Sequence, residues 1–244
     1  AALNTATKYP AIETYHKLEN SRLTEEVPAP FTGKTVLITE KLNGTNIRIV
    51  RLPGGDYVIG SREHLVHAKG DRIILDPVIT YAREVAESIE PVDDDVQVHV
   101  YYMEVYGGRI GSDAKQYTGD RDRMGHRLFD VAFAPLEVLE WPVEKISSWR
   151  KGGGQLFMHE TNMVRFAQWD SMQLTPRVSV FDGDALPLTR AGMHNLLVTA
   201  LPQTLASLGD GGQKKPEGFV LRTHARSILA KARLEDYARA LPTL

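Results

Sequence analysis

The sequence contains no cysteine, which excludes disulfides and thiolate metal sites and fits a reducing compartment. It contains no apolar run long enough to span a membrane as a helix. The first residues, Ala1-Ala2-Leu3-Asn4-Thr5, lack the basic and apolar regions of a secretory signal. No internal repeat and no low-complexity tract interrupts the chain. Neither charge is in large excess: 29 Lys and Arg stand against 31 Asp and Glu, a formal net charge of -2. A nucleic-acid partner would therefore need a local basic groove rather than a uniformly basic surface. What remains is an ordinary globular composition over 244 residues, 42% hydrophobic and 25% charged, enough for one large domain or two small ones. A single domain over residues 1–244 is the expectation.

The pattern predicts strands where β-branched residues run or alternate. Val36-Leu37-Ile38-Thr39 reads as a strand leading into Glu40-Lys41-Leu42-Asn43-Gly44. Residues 47–52 and 57–60 read as a hairpin around Pro53-Gly54-Gly55-Asp56. Residues 96–101 and 127–134 read as further strands, with a loop over 112–126 between them. Helical spacing is read over 71–89, with Asp71 as N-cap and Pro77 complicating the first turns. Shorter helices are read over 140–151, stopped by Gly152-Gly153-Gly154, and over 190–208, with Pro202 against it. A linker over 209–216 precedes a closing strand pair, 217–222 and 228–233, and a terminal helix over 234–241. Strands and helices do not alternate regularly. This favours α+β with antiparallel sheets over a parallel doubly wound fold.

Lys41 follows an apolar strand and stands three residues before Gly44. A lysine is a poor nucleophile while protonated, at a reference pKa of ~10.4, and nearby cations or burial free the amine. Gly44 would let backbone approach a ligand closely. A bare Lys-x-x-Gly is common by chance, and taken alone a surface lysine before a turn is the better reading. Other candidates follow in order: Ser61-Arg62 after the hairpin, Glu104 at the end of an apolar run, Phe129-Asp130 in a strand, Glu217-Gly218-Phe219 opening another, and Lys231-Ala232-Arg233 in the last. Singly, each has an ordinary explanation: a strand-end carboxylate at a turn, a core phenylalanine, a solvated basic face. Together and in this order they are hard to obtain by chance.

That order resembles the covalent nucleotidyltransferase superfamily of ATP-dependent DNA and RNA ligases and mRNA capping enzymes. Within it the chain is most similar to the RNA ligase 2 family. The run Glu40-Lys41-Leu42-Asn43-Gly44-Thr45-Asn46 carries the likeness, as does Lys8-Tyr9-Pro10-Ala11-Ile12-Glu13. Asn43 stands where DNA ligases usually have Asp. The resemblance covers roughly residues 8–237 and is weak over about 135–185. It implies an antiparallel-sheet nucleotidyltransferase (adenylyltransferase) fold of the ATP-grasp-like ligase and capping-enzyme type, without an OB domain. It also implies ATP as AMP donor, with Mg2+ or Mn2+, and cytoplasmic action, including that of a phage protein in its host. The partner would be RNA with 5′-phosphate and 3′-hydroxyl ends, in a repair reaction.

By the same resemblance Lys41 attacks the α-phosphate, and Lys231 grips phosphates and assists catalysis. Glu40, Asn43 and Gly44 belong to the nucleotide-binding motif. Arg62 holds ribose and end phosphates, Glu104 the ribose, and Phe129 stacks on adenine. Glu217, with Glu104, holds the hydrated metal. Arg233 departs from the lysine usual there; it keeps the charge and changes the geometry. Lys231 and Arg233, at i and i+2 of a strand, would share a face.

The rivals are a DNA ligase domain, a capping nucleotidyltransferase, and a non-catalytic nucleotide- or RNA-binding module. Asn43 and the lack of room for an OB domain argue against the first two. The intact set Lys41, Glu104, Glu217 and Lys231 argues against the third. His64 and His67 read as loop or surface histidines rather than a metal pair. Gly152-Gly153-Gly154 lacks the Lys-Ser/Thr sequel of a phosphate loop and reads as a flexible linker. Lys214-Lys215 reads as a solvated loop tip, with RNA phosphates as the alternative, and Asp93-Asp94-Asp95 reads as a solvated turn.

Overall fold

Val36, Leu37 and Ile38 are all buried and form the middle of a seven-residue strand that ends on Lys41. The computed structural model describes residues 1–28, 31–72, 75–91, 94–111 and 114–241. In chain order, helix α1 (Ala2–Ala6) precedes three short strands, β1 (Glu13–Thr14), β2 (Leu18–Glu19) and β3 (Arg22–Leu23). Strands β4 (Thr35–Lys41), β5 (Thr45–Arg51), β6 (Tyr57–Ser61) and β7 (Leu65–Ala68) lead to helix α2 (Pro77–Ser88). Two long strands, β8 (Gln97–Gly107) and β9 (Met124–Pro135), precede α3 (Val143–Lys151), β10 (Leu156–Phe157) and α4 (Glu160–Trp169). Then come β11 (Arg177–Asp182), α5 (Arg190–Ala200), β12 (Gly218–Thr223), β13 (Leu229–Arg233) and α6 (Leu234–Ala240). The class is α+β with antiparallel sheets, as the sequence pattern led us to expect; the described pairings include one parallel strand pair, β1 with β13.

Contacts divide the chain into two compact units. Unit 1 comprises Ala1–Pro10, Gly44–Tyr106 and Met124–Leu174. Its six-stranded sheet has the order β10-β9-β8-β5-β6-β7. One face packs Val50, Val98, Val100, Tyr102, Ala132 and Ala134 with Tyr9, Phe129 and Trp149. On the other, the buried Arg51 guanidinium donates to the Ala86 and Ile89 carbonyls at the end of α2, and Tyr101 packs on Phe166 of α4. Unit 2 comprises Ala11–Asn43, Gly107–Arg123 and Thr175–Leu244. Its five-stranded sheet has the order β1-β13-β12-β4-β11. Val36, Ile38, Phe219, Leu221, Ala230 and Ala232 face a core completed by Met193 and Leu197 of α5 and Tyr237 of α6.

Several boundaries differ from the sequence reading, each for a local reason. The helix read over 71–89 begins at Pro77, because Asp76 is the N-cap and accepts the Val78 and Ile79 amides. Proline at the first helical position loses no intrahelical bond, so it marks the start rather than disturbing it. Ile73 and Ile74 lie outside the described residues. The helix read over 140–151 begins at Val143, and the one read over 190–208 ends at Ala200, two residues before Pro202. Strand β9 starts at Met124, inside the stretch read as a loop, of which Ser112 and Asp113 lie outside the described residues. Gly152-Gly153-Gly154 is an ordered helix stop rather than a flexible linker. Three successive amides return to the Ser148, Arg150 and Trp149 carbonyls, and a Cβ on Gly154 would fall 2.1 Å from the Trp149 indole nitrogen. The stretch read as a linker over 209–216 is likewise built in: the Gln213 and Lys214 amides donate to the Lys115 and Gln116 carbonyls, and Gly119 to Asp210. Asp93 lies outside the described residues, and Asp94 is a hydrogen-bonding hub rather than a solvated turn residue.

Candidate active site

Strand pairing in unit 2 explains which side chains meet. Residues directly opposite on neighbouring strands share a face. Lys41 lies opposite Gly218, which lies opposite Arg233. In the next rows Thr39, Val220 and Lys231 stand in line, then Leu37, Arg222 and Leu229. One face thus carries Lys41, Arg222, Lys231 and Arg233, and the alternate positions of the same strands supply the apolar core. Gly218 separates Lys41 from Arg233 with no side chain of its own. A Cβ there would fall 2.1 Å from the Ala232 carbonyl oxygen, so no larger residue fits between the two cations without moving backbone.

Lys41 Nζ donates to Glu217 Oε1 at 2.6 Å, with both side chains largely withdrawn from solvent. The pair is separated by 176 residues in sequence and joined because β4 and β12 are neighbours. The position before the lysine points the other way. Glu40 is buried; its Oε1 accepts the Thr204 hydroxyl and its Oε2 the Leu205 amide at 2.8 Å. Its carboxylate therefore braces the 204–205 turn from the core side of the strand whose opposite face presents Lys41. Past the strand, the Asn43 amide donates to the hydroxyl of the buried Tyr117 at 2.6 Å. Arg233 forms a two-pronged pair with Asp236 in the first turn of α6, at 2.8 Å for each bond. The Asp236 hydrogen bonds push the guanidinium's pKa up, with the charge of Glu217 adding to the effect. Its fork is thus committed to Asp236, whereas Lys231 stands one row over from Lys41.

In unit 1 the Gly44 amide donates to Glu104 Oε1 at 3.1 Å. The approach is close: a Cβ on Gly44 would fall 2.3 Å from the Val105 carbonyl oxygen. Glu104 lies opposite Asn46, on the sheet face that also carries Tyr102. Phe129 stacks beside Tyr102, ring centroids 6.3 Å apart, and meets Tyr9 edge-on at 5.0 Å. It belongs to an aromatic cluster on the face that bears Glu104 and is only partly buried. Arg62 occupies the exposed bend between β6 and β7, 3.8 Å from Glu63. His67 is buried in β7 and His64 is exposed; among the described residues no group of three or more His, Asp or Glu side chains could hold a metal ion.

Arg222, Tyr117 and Thr204 escaped sequence reasoning. Arg222 was within reach: it is four residues after Gly218 in a strand, so strict alternation puts it on the face of Lys41. Tyr117 and Thr204 act through contacts 74 and 164 residues apart, which no local pattern encodes.

A family model described as RNA ligase matches residues 34–234. No curated protein matches. Among solved structures, the chain is similar to Naegleria gruberi RNA ligase. A substituted form with ATP and Mn is 12% identical at a TM-score of 0.59, covering 99% of this chain and 63% of that one. The form with PPi is 13% identical at 0.58, with 95% and 63% covered, and another substituted form with AMP and Mn is 12% identical at 0.58, with 95% and 61% covered. At these identities the likeness is one of fold. The chain spans somewhat less than two thirds of the length of those proteins.

Proposed function

The chain belongs to the RNA ligase family, and from that premise we propose that it is an ATP-dependent RNA ligase acting through a covalent Lys41–AMP intermediate on a nucleotidyltransferase fold. The observation that carries this reading is the Lys41–Glu217 pair, set on a sheet face with Arg222, Lys231 and Arg233. A nucleophile beside several cations suits attack on a polyphosphate, where negative charge builds in the transition state.

The residues divide the labour as follows. Lys41 first gives its ammonium proton to solvent; the neutral Nζ then forms a bond to the α-phosphorus of ATP as the bond to pyrophosphate breaks, and the amine's second proton leaves to solvent. Before reaction Glu217 orients Nζ through the 2.6 Å hydrogen bond. Lys231 holds phosphate oxygens, while Arg233, fixed by Asp236, contributes charge. In unit 1 Glu104 and Gly44 set the backbone after the lysine, and we assign Glu104 to ribose, Phe129 to adenine and Arg62 to end phosphates. AMP then passes from Lys41 to an RNA 5′-phosphate, and a 3′-hydroxyl displaces AMP to form the phosphodiester.

The donors present fit a hydrated divalent cation held by one or two carboxylates and the triphosphate, as magnesium is commonly held, rather than an all-protein cage. Glu217 would hold it. When bound, Mg2+ or Mn2+ supplies positive charge at the α-phosphate and offsets the charge of Glu217. The test is incubation with α-labelled ATP and either metal, with mapping of the covalent label, beside sealing of matched RNA and DNA nicks. Label on Lys41 and preferential RNA sealing are expected. Label elsewhere, or no label, overturns the reading; GMP uptake from GTP would point to a capping enzyme instead.

A further inference from the structure

The segment after α5 does more than connect it to β12. Lys214 holds a left-handed backbone, φ +58, a conformation that a lysine adopts only when its surroundings enforce it. Both of its backbone groups are engaged: its amide donates to the Gln116 carbonyl at 2.9 Å, and its carbonyl accepts the Thr204 amide at 2.9 Å. Lys214 and Lys215 are thereby fixed side by side, exposed, on the lip of a cleft of about 580 Å³. Gln203 and Gln213 complete the polar rim, and Leu201 and Leu234 lie among its apolar walls. The volume falls in the range of small-molecule pockets, and none of the described residues that line it is acidic.

The cleft adjoins the chemistry. Pro216, in its wall, precedes Glu217, and the Glu217 carbonyl accepts the Leu234 amide at 2.8 Å. Thr204, whose amide holds Lys214, gives its hydroxyl to Glu40, the neighbour of Lys41.

We propose that this cleft seats a nucleotide of the RNA strand being joined. Lys214 and Lys215 take backbone phosphates, the glutamines bond base or ribose edges, and the apolar walls cover the base. The charge complementarity is local, as a chain of net charge -2 requires of a polyanion partner. The proposal rests on the RNA ligase reading and adds to it where the strand lies.

The test is binding of a fluorescent 5′-phosphorylated single-stranded RNA over a range of salt, without ATP. Four proteins are compared: wild type; Lys214→Gln/Lys215→Gln; Val198→Trp, which fills the cleft from α5; and Lys69→Gln/Lys151→Gln, which removes equal charge from unit 1. Losing two phosphate contacts should lower the salt slope by about 1.4 and weaken binding about tenfold at low salt. Val198→Trp should weaken binding with little change of slope, and the unit 1 control should stay within about twofold of wild type. The proposal is overturned if both cleft variants bind like wild type, or if the control loses as much as the Lys214/Lys215 double variant. AMP uptake and sealing by the wild type separate the two readings. A wild type that takes no AMP and binds no RNA removes the ligase reading and this one with it. A wild type that seals RNA while the cleft variants bind unchanged removes this one alone.

Discussion

Lys41 and Glu217 meet at 2.6 Å because Lys41 ends β4 directly opposite the first residue of β12, with Glu217 the residue before it. Lys41 is thus held by a carboxylate whose position follows from sheet register rather than from a mobile loop. Register is strongly specified here, since a slip of one residue would turn Ile38 and Phe219 out of the core along with the site.

Glu217→Ala should lower the rate of AMP uptake by about 10²- to 10³-fold, the usual effect of deleting one electrostatic stabiliser. Asp95→Ala, an exposed acid before β8, should stay within about twofold. The check is the initial rate of covalent labelling for both variants. Equal mild losses would remove Glu217 from the site.

Glu40→Ala should destabilise the fold and slow AMP uptake together. It leaves the Thr204 hydroxyl and the Leu205 amide without their buried acceptor, at a cost of about 1–3 kcal/mol. For a chain of this size that is a fall of several degrees, at about 2–4 °C per kcal/mol. Glu40→Gln, which keeps one acceptor oxygen, should recover part of both. An unaltered Tm in Glu40→Ala would show that this brace carries no stability.

Asp94 gives a pH signature independent of the chemistry. The His99 ring, then the Val96 amide and the Gln97 side chain, hold its carboxyl well below the usual carboxylate range. A depressed folded-state pKa means that the contribution is present above the unfolded value of ~3.9 and is lost as pH falls toward the folded one. The urea midpoint of Asp94→Ala should therefore lie below that of wild type at pH 5, and the gap should narrow by pH 3. A gap that is constant or widens on acidification contradicts the assignment.

The sequence made the strands around Lys41 legible because buried β-branched runs such as Val36-Leu37-Ile38 and Ile47–Val50 have few other readings. It made the site residues legible only as an ordered set, since Lys41 and Glu217 are joined by sheet topology, which periodicity does not contain. Helix α4 went unread. Its buried Met163 and Ala167 form a narrow stripe between polar residues, and its terminal Trp169 is exposed. Pro77 misled in the opposite direction, because one residue type both breaks helices and starts them, and Asp76 decides which. Arg233 shows the limit of carrying a role across a substitution. Asp236, one turn into the next helix, takes both prongs of its guanidinium, and a lysine could not be held in that way.

The final prediction separates the chemical steps. On the proposed mechanism Lys41 is required as a nucleophile only when AMP enters the protein. An RNA that already carries a 5′-adenylate needs no such attack, and the remaining groups still serve it: Lys231 on the same sheet face as Lys41, Glu217 beside the missing amine, Phe129 and Glu104 on the unit 1 sheet. Lys41→Ala should therefore abolish self-adenylylation and the sealing of 5′-phosphate ends, while retaining metal-dependent sealing of 5′-adenylylated RNA. Removing Lys41 also removes its hydrogen bond to Glu217, so the variant's metal requirement should shift toward lower concentrations, the carboxylate no longer being shared with the Lys41 amine. Lys231→Ala should impair both reactions, because the phosphate contact proposed for it would serve more than one step. The measurement is product formed from 5′-adenylylated RNA in the absence of ATP, titrated with Mg2+ for each protein. If wild type seals that substrate and Lys41→Ala does not, Lys41 acts again in phosphodiester formation, and the division of steps is wrong. If the variant seals but needs more metal than wild type, the Lys41–Glu217 pair does not compete with the cation, and Glu217 is not the group that holds it.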